Sequence, residues 1–231
     1  GPHSTTPTLW QKLKRLGRSI VSGEFSTRRQ ARKVVDQVNQ LEASLQKLSS
    51  ENLKAKTSEF KSRLKVGETI DDILPEAFAV VRESSRRVLG IRPYDVQVEG
   101  GYYAHRGGIV EMKTGEGKTY MGMLPVYLNS LTGNGVHVMT YNDYLAGRDA
   151  KKAGKVLGAL GVSAGHIHPE MTIEERREAN KADVIYGSAA EFGFQYLNDN
   201  LALRPDEVVG KDTSRAYALI DEADSLRLDE S

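Results

Sequence analysis

The 231-residue chain contains no cysteine, which excludes disulfides and thiolate zinc sites. No apolar run approaches the roughly 20 residues that a membrane-crossing helix needs. The basic N-terminal region lacks a following apolar stretch and a small-residue cleavage site, so no signal peptide is expected. Neither an internal repeat nor a low-complexity segment is present. What these absences leave is a globular chain of one or two domains, at about 150 residues each, long enough to bury a hydrophobic core. The cysteine-free composition fits the cytoplasm. Gly1-Pro2-His3-Ser4 reads as a cloning scar and is set aside.

Charge is balanced overall, at +1, but not locally. Residues 1–33 carry Lys12, Lys14, Arg15, Arg18, Arg28, Arg29, Arg32 and Lys33 against Glu24 alone, a net of about +7 that leaves the remainder acidic. Such asymmetry points either to an acidic partner, lipid or nucleic acid, or to a solvated helix face. Leu9, Trp10, Leu13, Leu16 and Ile20 fall on one face of a helix over 8–20, with basic residues largely opposite. Gly23 to Ser26 is expected to break that helix. A second follows over 28–48, with Val34, Val38, Leu41, Leu45 and Leu48 as its packed seam, and a third over 49–65. Thr69 with Asp72 makes a capping-box start for a fourth that runs past Pro75 and ends at Gly90. Residues 5–90 are therefore expected to be helical.

From Ile91 the pattern changes. Strands are expected at 109–112, 136–141, 164–167, 184–187 and 217–221. Helices are expected at 118–130, 142–160, 172–181 and 189–200, the second of them capped by Asn142. This order predicts an α/β fold with a parallel sheet covered by helices on both faces.

The chemistry concentrates in two segments, Thr-Gly-Glu-Gly-Lys-Thr at 114–119 and Leu-Ile-Asp-Glu-Ala-Asp at 219–224. Gly115 and Gly117 lack the Cβ that would block an anion from the backbone. Lys118 suits the β- and γ-phosphates, and the Thr119 hydroxyl suits magnesium. The following helix would turn its positive end toward them. The usual spacing wants glycine where Met112 stands, so a T-G-x-G-K-T variant fits better than the strict phosphate loop. The second segment reads as a buried strand that delivers Asp221 and Glu222 to the sheet's C-terminal edge, where ligands of open α/β sheets bind. Asp221 is expected to serve magnesium, directly or through water. Glu222 is expected to orient and polarise the attacking water. The bland alternatives are a glycine-rich strand–helix turn and a solvated acidic helix start. His166 and His168 share a strand face and could hold a metal, but no third ligand is apparent.

Further segments narrow the family: Arg92-Pro93-Tyr94-Asp95-Val96-Gln97; the run from Asn142 to Asp149 (NDYLAGRD); YGSAAEFGFQYLNDN at 186–200; and LPEAFAVVRESSRRVLG at 74–90. With these the chain resembles the SecA family, motor ATPases of bacterial protein export, from about Leu9 onward. The resemblance implies that 91–231 is a truncated first RecA-like, DEAD-type nucleotide-binding domain, and that the chain is an N-terminal fragment. It implies ATP or ADP with magnesium as ligands. Gln97 would read adenine with Tyr94 near it, Tyr94 being equally a candidate core aromatic, and Gly115, Glu116, Gly117, Lys118 and Thr119 would hold phosphates. Lys118 and Glu222 would be the catalytic residues, and Thr119 and Asp221 the metal-side ones. It implies preproteins and the SecY channel as partners, anionic phospholipid as a partner of residues 8–20, no nucleic acid, and a place in the cytoplasm at the inner face of the cell membrane. Turnover by the 231 residues alone is expected to be slow, because the family's second lobe resembles the supplier of an arginine finger. A nucleic-acid helicase of the same superfamily is the enzyme-class alternative, disfavoured because the Pro-Thr-Arg-Glu-Leu element is missing. A non-catalytic binding module is the other. The family's usual residues are replaced at Ala189, Ala190, Gln195, Asn198 and Ala223, which keeps both a housekeeping and an accessory member open.

Overall fold

The computed structural model describes residues 9–111, 117–201, 208 and 217–221, with side chains from residue 27 onward. Three long helices come first: α1 (Leu9–Gln46), α2 (Ser50–Lys65) and α3 (Ile70–Leu89). The helix α1 runs unbroken through Gly23, against the break expected at 23–26. A lone glycine costs a helix only about 1 kcal/mol, and no proline accompanies it. Ser49 caps α2 by accepting from the Asn52 N–H at 3.1 Å. Thr69 and Asp72 close the expected capping box on α3, and Gly90 ends it at φ 69°.

A fourth helix, α4 (Asp95–His105), has no counterpart among the expected elements. Gly100 and Gly101 obscure it in the sequence, since glycine argues against a helix interior. Both serve packing. A Cβ on Gly100 would lie 2.8 Å from Met121 Sδ, and one on Gly101 3.1 Å from Leu124, so α4 lies close against α5 (Lys118–Ser130). The alternating region follows as β1 (Val136–Thr140), α6 (Asp143–Ala159), β2 (Ala164–His166), α7 (Ile173–Ala179), β3 (Val184–Ser188), α8 (Ala189–Leu201) and β4 (Tyr217–Ile220).

The four strands form a parallel sheet in the order β2-β3-β1-β4. Side-chain alternation along the strands divides the interior in two. Val136, Val138, Val184 and Tyr186 face the large core that also holds α1 to α6. Ile185 faces a smaller cluster with Ile167 and Phe192 of α8, where the His137 ring stacks on Phe192 at 4.6 Å. Helices therefore cover both faces, as the pattern predicts. Two strand expectations change. Ile109, Val110 and Glu111 form no strand, and Ile109 is 96 % exposed. Strand β4 pairs only with β1 among the described residues, and Ile220 is half exposed, so among those residues it lies at the edge of the sheet rather than in its interior.

The helical region and the sheet region share one core: Val38, Phe60, Phe78, Leu128, Leu157 and Tyr186 belong to a single cluster. Polar bonds reinforce the joint. The Thr57 and Tyr127 hydroxyls meet at 2.8 Å between α2 and α5, and Ser84 Oγ donates to the Val156 carbonyl at 2.8 Å between α3 and α6. Buried Arg82 of α3 donates to Asn39 at 2.7 Å and to Asp95 at 3.1 Å. Arg92 forks onto Glu42 at 2.6 and 2.7 Å. That bidentate bond, helped by the nearby Arg82 charge and opposed by burial, holds the Glu42 carboxyl below the ordinary carboxylate range. The first turn of α4 is thus fixed to α1 and α3.

Candidate nucleotide site

The strands β1, β3 and β4 end at Thr140, Ser188 and Ile220 on one edge of the sheet, and α5 begins there. From β1 the chain passes to the β2-β3 side, then returns to β4 on the other. Ligands of open α/β sheets bind at such reversals, outside the carboxyl ends of the strands. A cleft of about 560 Å³ opens at this edge, and Lys118, Thr119, Asp149 and Asp221 line it.

The start of α5 is built around Gly117. Its φ is +83°, and its carbonyl accepts from the N–H groups of Tyr120 at 3.0 Å and Met121 at 3.1 Å. The N–H groups of Lys118 and Thr119 fall in the first turn, which has no intrahelical acceptor to offer them. They add to the positive end of the helix dipole at the mouth of the cleft. A Cβ on Gly117 would sit 2.2 Å from Gln97 Nε2. Any side chain at this position would displace Gln97.

Gln97 is buried, at 4 % exposure. Its Oε1 accepts from the Tyr94 N–H at 2.7 Å, capping α4, and its Nε2 donates to the Gly117 carbonyl at 3.4 Å. The residue thereby joins the α4 start to the α5 start. Tyr94 itself is 71 % exposed, which overturns its reading as a core aromatic.

The opposite side of the cleft is acidic. Asp221 follows β4, and its N–H donates to the Met139 carbonyl at 2.8 Å, extending the β1–β4 ladder to its end. Thr119 Oγ1 lies 3.4 Å from Asp149 Oδ1 as donor. Arg148 Nε donates to the same carboxylate at 2.9 Å. This bond raises Arg148 above the ordinary guanidinium value against some burial, and the Asp221 charge adds to the effect. Sequence reasoning missed Asp149 as a site residue. Its signal is position: Ala146, Asp149, Ala153 and Val156 form the buried stripe of α6, and a carboxylate on such a stripe needs a partner.

The structure brings Gln97, Gly117, Lys118, Thr119 and Asp221 to one edge. Met112, Gly115, Glu116 and Glu222 lie outside the described residues. Magnesium prefers oxygen ligands and commonly takes only one or two carboxylates beside substrate phosphates. The Thr119 hydroxyl and the Asp221 carboxylate suit it. His166 and His168 lie with ring centroids 5.2 Å apart, and among the described residues no three His, Asp or Glu side chains group to hold a metal.

Comparison with known proteins agrees with this geometry. The SecA DEAD-like domain family matches residues 17–231. The protein translocase subunit SecA of Clostridium botulinum (strain Eklund 17B / Type B) is 52% identical over 215 residues, 92% of this chain and 26% of that protein. The SecA of Carboxydothermus hydrogenoformans is 55% identical over 197 residues, 85% of this chain and 22% of its own length. That of Xanthomonas euvesicatoria pv. vesicatoria is 54% identical over 218 residues, 92% and 24% respectively. The chain thus spans about a quarter of the length of these relatives. With nearly its whole length matched, a parallel sheet, and a glycine-built helix start at the sheet's carboxyl edge, the chain belongs to the SecA DEAD-like domain family.

Proposed function

We propose that this chain is the first RecA-like, ATP-binding portion of a SecA-type translocase that couples ATP hydrolysis to export of preproteins through the SecY channel. On this reading residues 5–90 form the helical N-terminal region and 91–231 the nucleotide domain. The observation that carries it is the meeting of Lys118, Thr119 and Asp221 at one cleft, with Gln97 bonded to Gly117 at its side. Lys118 and the α5 N-terminus bind phosphate oxygens, with Gly115 and Glu116 completing the loop. Thr119 and Asp221 hold magnesium, which when bound neutralises charge on the phosphates. Gln97 meets the adenine edge by exchanging its long, 3.4 Å bond to Gly117, while Tyr94 flanks the base. Glu222 orients water. Residues 8–20 rest on anionic phospholipid, which would place the parent protein in the cytoplasm at the inner membrane face.

Calorimetric titration with Mg·ADP tests the nucleotide reading. The Lys118→Ala variant loses a charge-assisted contact of about 1.5–3 kcal/mol, roughly tenfold or more in affinity. Equal affinities for the two proteins would refute the assignment. In a full-length translocase that carries this region, the same change is expected to abolish preprotein-dependent ATP turnover. The 231 residues alone release phosphate slowly on this reading, because an arginine finger, worth roughly 10³–10⁵ in rate where one acts in nucleotide hydrolysis, would come from a second lobe. Turnover equal to the longer chain would contradict that division of labour.

A further inference from the structure

We propose that Asp149 is a positioning residue: its carboxylate takes the proton of the Thr119 hydroxyl into a hydrogen bond and so aims the oxygen lone pairs at the metal. The inference rests on the magnesium–nucleotide reading of this cleft.

Three observations support it. Asp149 is 4 % exposed, on the buried stripe of α6, and yet lines the cleft. A buried carboxylate is costly unless it is bonded. Arg148 Nε donates to Oδ1 at 2.9 Å, and Thr119 Oγ1 shares the same oxygen at 3.4 Å. A carboxylate beside a guanidinium is an acceptor only. The Thr119 hydroxyl must therefore be the donor in its bond to Asp149.

That direction has a chemical consequence. A hydroxyl has one proton and two lone pairs. If the proton faced the cleft, the oxygen would repel a cation. With the proton held by Asp149, the lone pairs are left for the metal, and the acceptor's negative charge makes the oxygen a better donor to it. Groups that fix first ligands in this way typically alter metal affinity by roughly 10–100-fold. The same carboxylate is carried by α6, whose N-cap Asn142 accepts from the Leu145 N–H at 2.9 Å, so the hydroxyl is oriented from a neighbouring helix rather than from α5 itself.

Two titrations on the 231-residue chain separate this role from a structural one. ADP is titrated first in EDTA, then MgCl₂ is titrated into the ADP-loaded protein. Asp149→Asn, which keeps the shape but lacks the charge, is expected to weaken Mg²⁺ binding roughly 10–100-fold while leaving metal-free ADP affinity within about twofold. In a Thr119→Val background, Asp149→Asn should add nothing further to the Mg²⁺ loss, because the two act through one hydrogen bond. Asp149→Glu keeps the charge and the Arg148 pair. It serves where the Asn variant fails to fold, and should weaken Mg²⁺ binding with the same indifference to metal-free ADP. Unchanged Mg²⁺ affinity in the folded variants, or additive losses with Thr119→Val, would overturn the inference while the nucleotide reading stands. Failure of the wild-type chain to bind ADP at all would overturn both.

Discussion

Gly117 meets two requirements at once. Its φ of +83° is one that side-chain-bearing residues rarely adopt, and the place of its missing Cβ is filled by Gln97 Nε2. A Gly117→Ala variant should therefore lose about 1–3 kcal/mol of stability from the backbone alone. It should also displace Gln97 and weaken nucleotide binding. Urea unfolding and an ADP titration check the two effects, and an unchanged protein by both measures would mean that the α5 start is more adaptable than its geometry implies. Gln195 shows a residue-scale departure with a visible reason. The family resemblance leads one to expect aspartate there, but the buried Gln195 exchanges two amide hydrogen bonds of 3.0 Å with Asn180. A carboxylate accepts only and could not return the second.

At the scale of elements, what was legible followed local chemistry. The ends of α2, α3, α6 and α7 are written in their caps: Ser49, Thr69 with Asp72, Asn142, and Thr172 with Glu175. What was not legible was decided by tertiary contact. Helix α4 exists because Gly100 and Gly101 admit Met121 and Leu124, and local propensity argues against it. Of the site, Lys118, Thr119 and Asp221 could be read from motif order. Asp149 could not, because its role depends on α6 packing beside α5. The continuity of α1 through Gly23 bears on the membrane proposal, since a single helix carries residues 9–20 into the seam that packs on α3. Each basic residue near an anionic surface contributes about 1 kcal/mol, screened by salt. Flotation on vesicles containing phosphatidylglycerol should thus fall with added salt and with removal of residues 1–22. Flotation indifferent to both would exclude this helix as the contact.

At the scale of the molecule, the helical region and the sheet share one core, so the cleft at the sheet's carboxyl edge is braced from behind. The Arg82–Asn39–Asp95 bonds and the Arg92–Glu42 pair hold the α4 start, and α4 carries Gln97 to Gly117. Arg87 of α3 donates to the Leu45 and Leu48 carbonyls at 3.0 and 2.8 Å, closing the end of α1. Its neighbour Glu83 is pushed up by burial, but Arg86 and Arg87 outweigh this and hold it below the ordinary carboxylate range. A ligand at the cleft should therefore be felt at the starts of α4 and α5 and at the end of β4, but not at α2 on the far side of the core. Hydrogen–deuterium exchange with and without saturating Mg·ADP measures this directly. The account predicts slowed exchange at 95–98, 117–121 and 219–221, absent in the Lys118→Ala variant. Protection confined to α7 and α8, or none at saturation, would contradict the claim that this edge of the sheet is the nucleotide site.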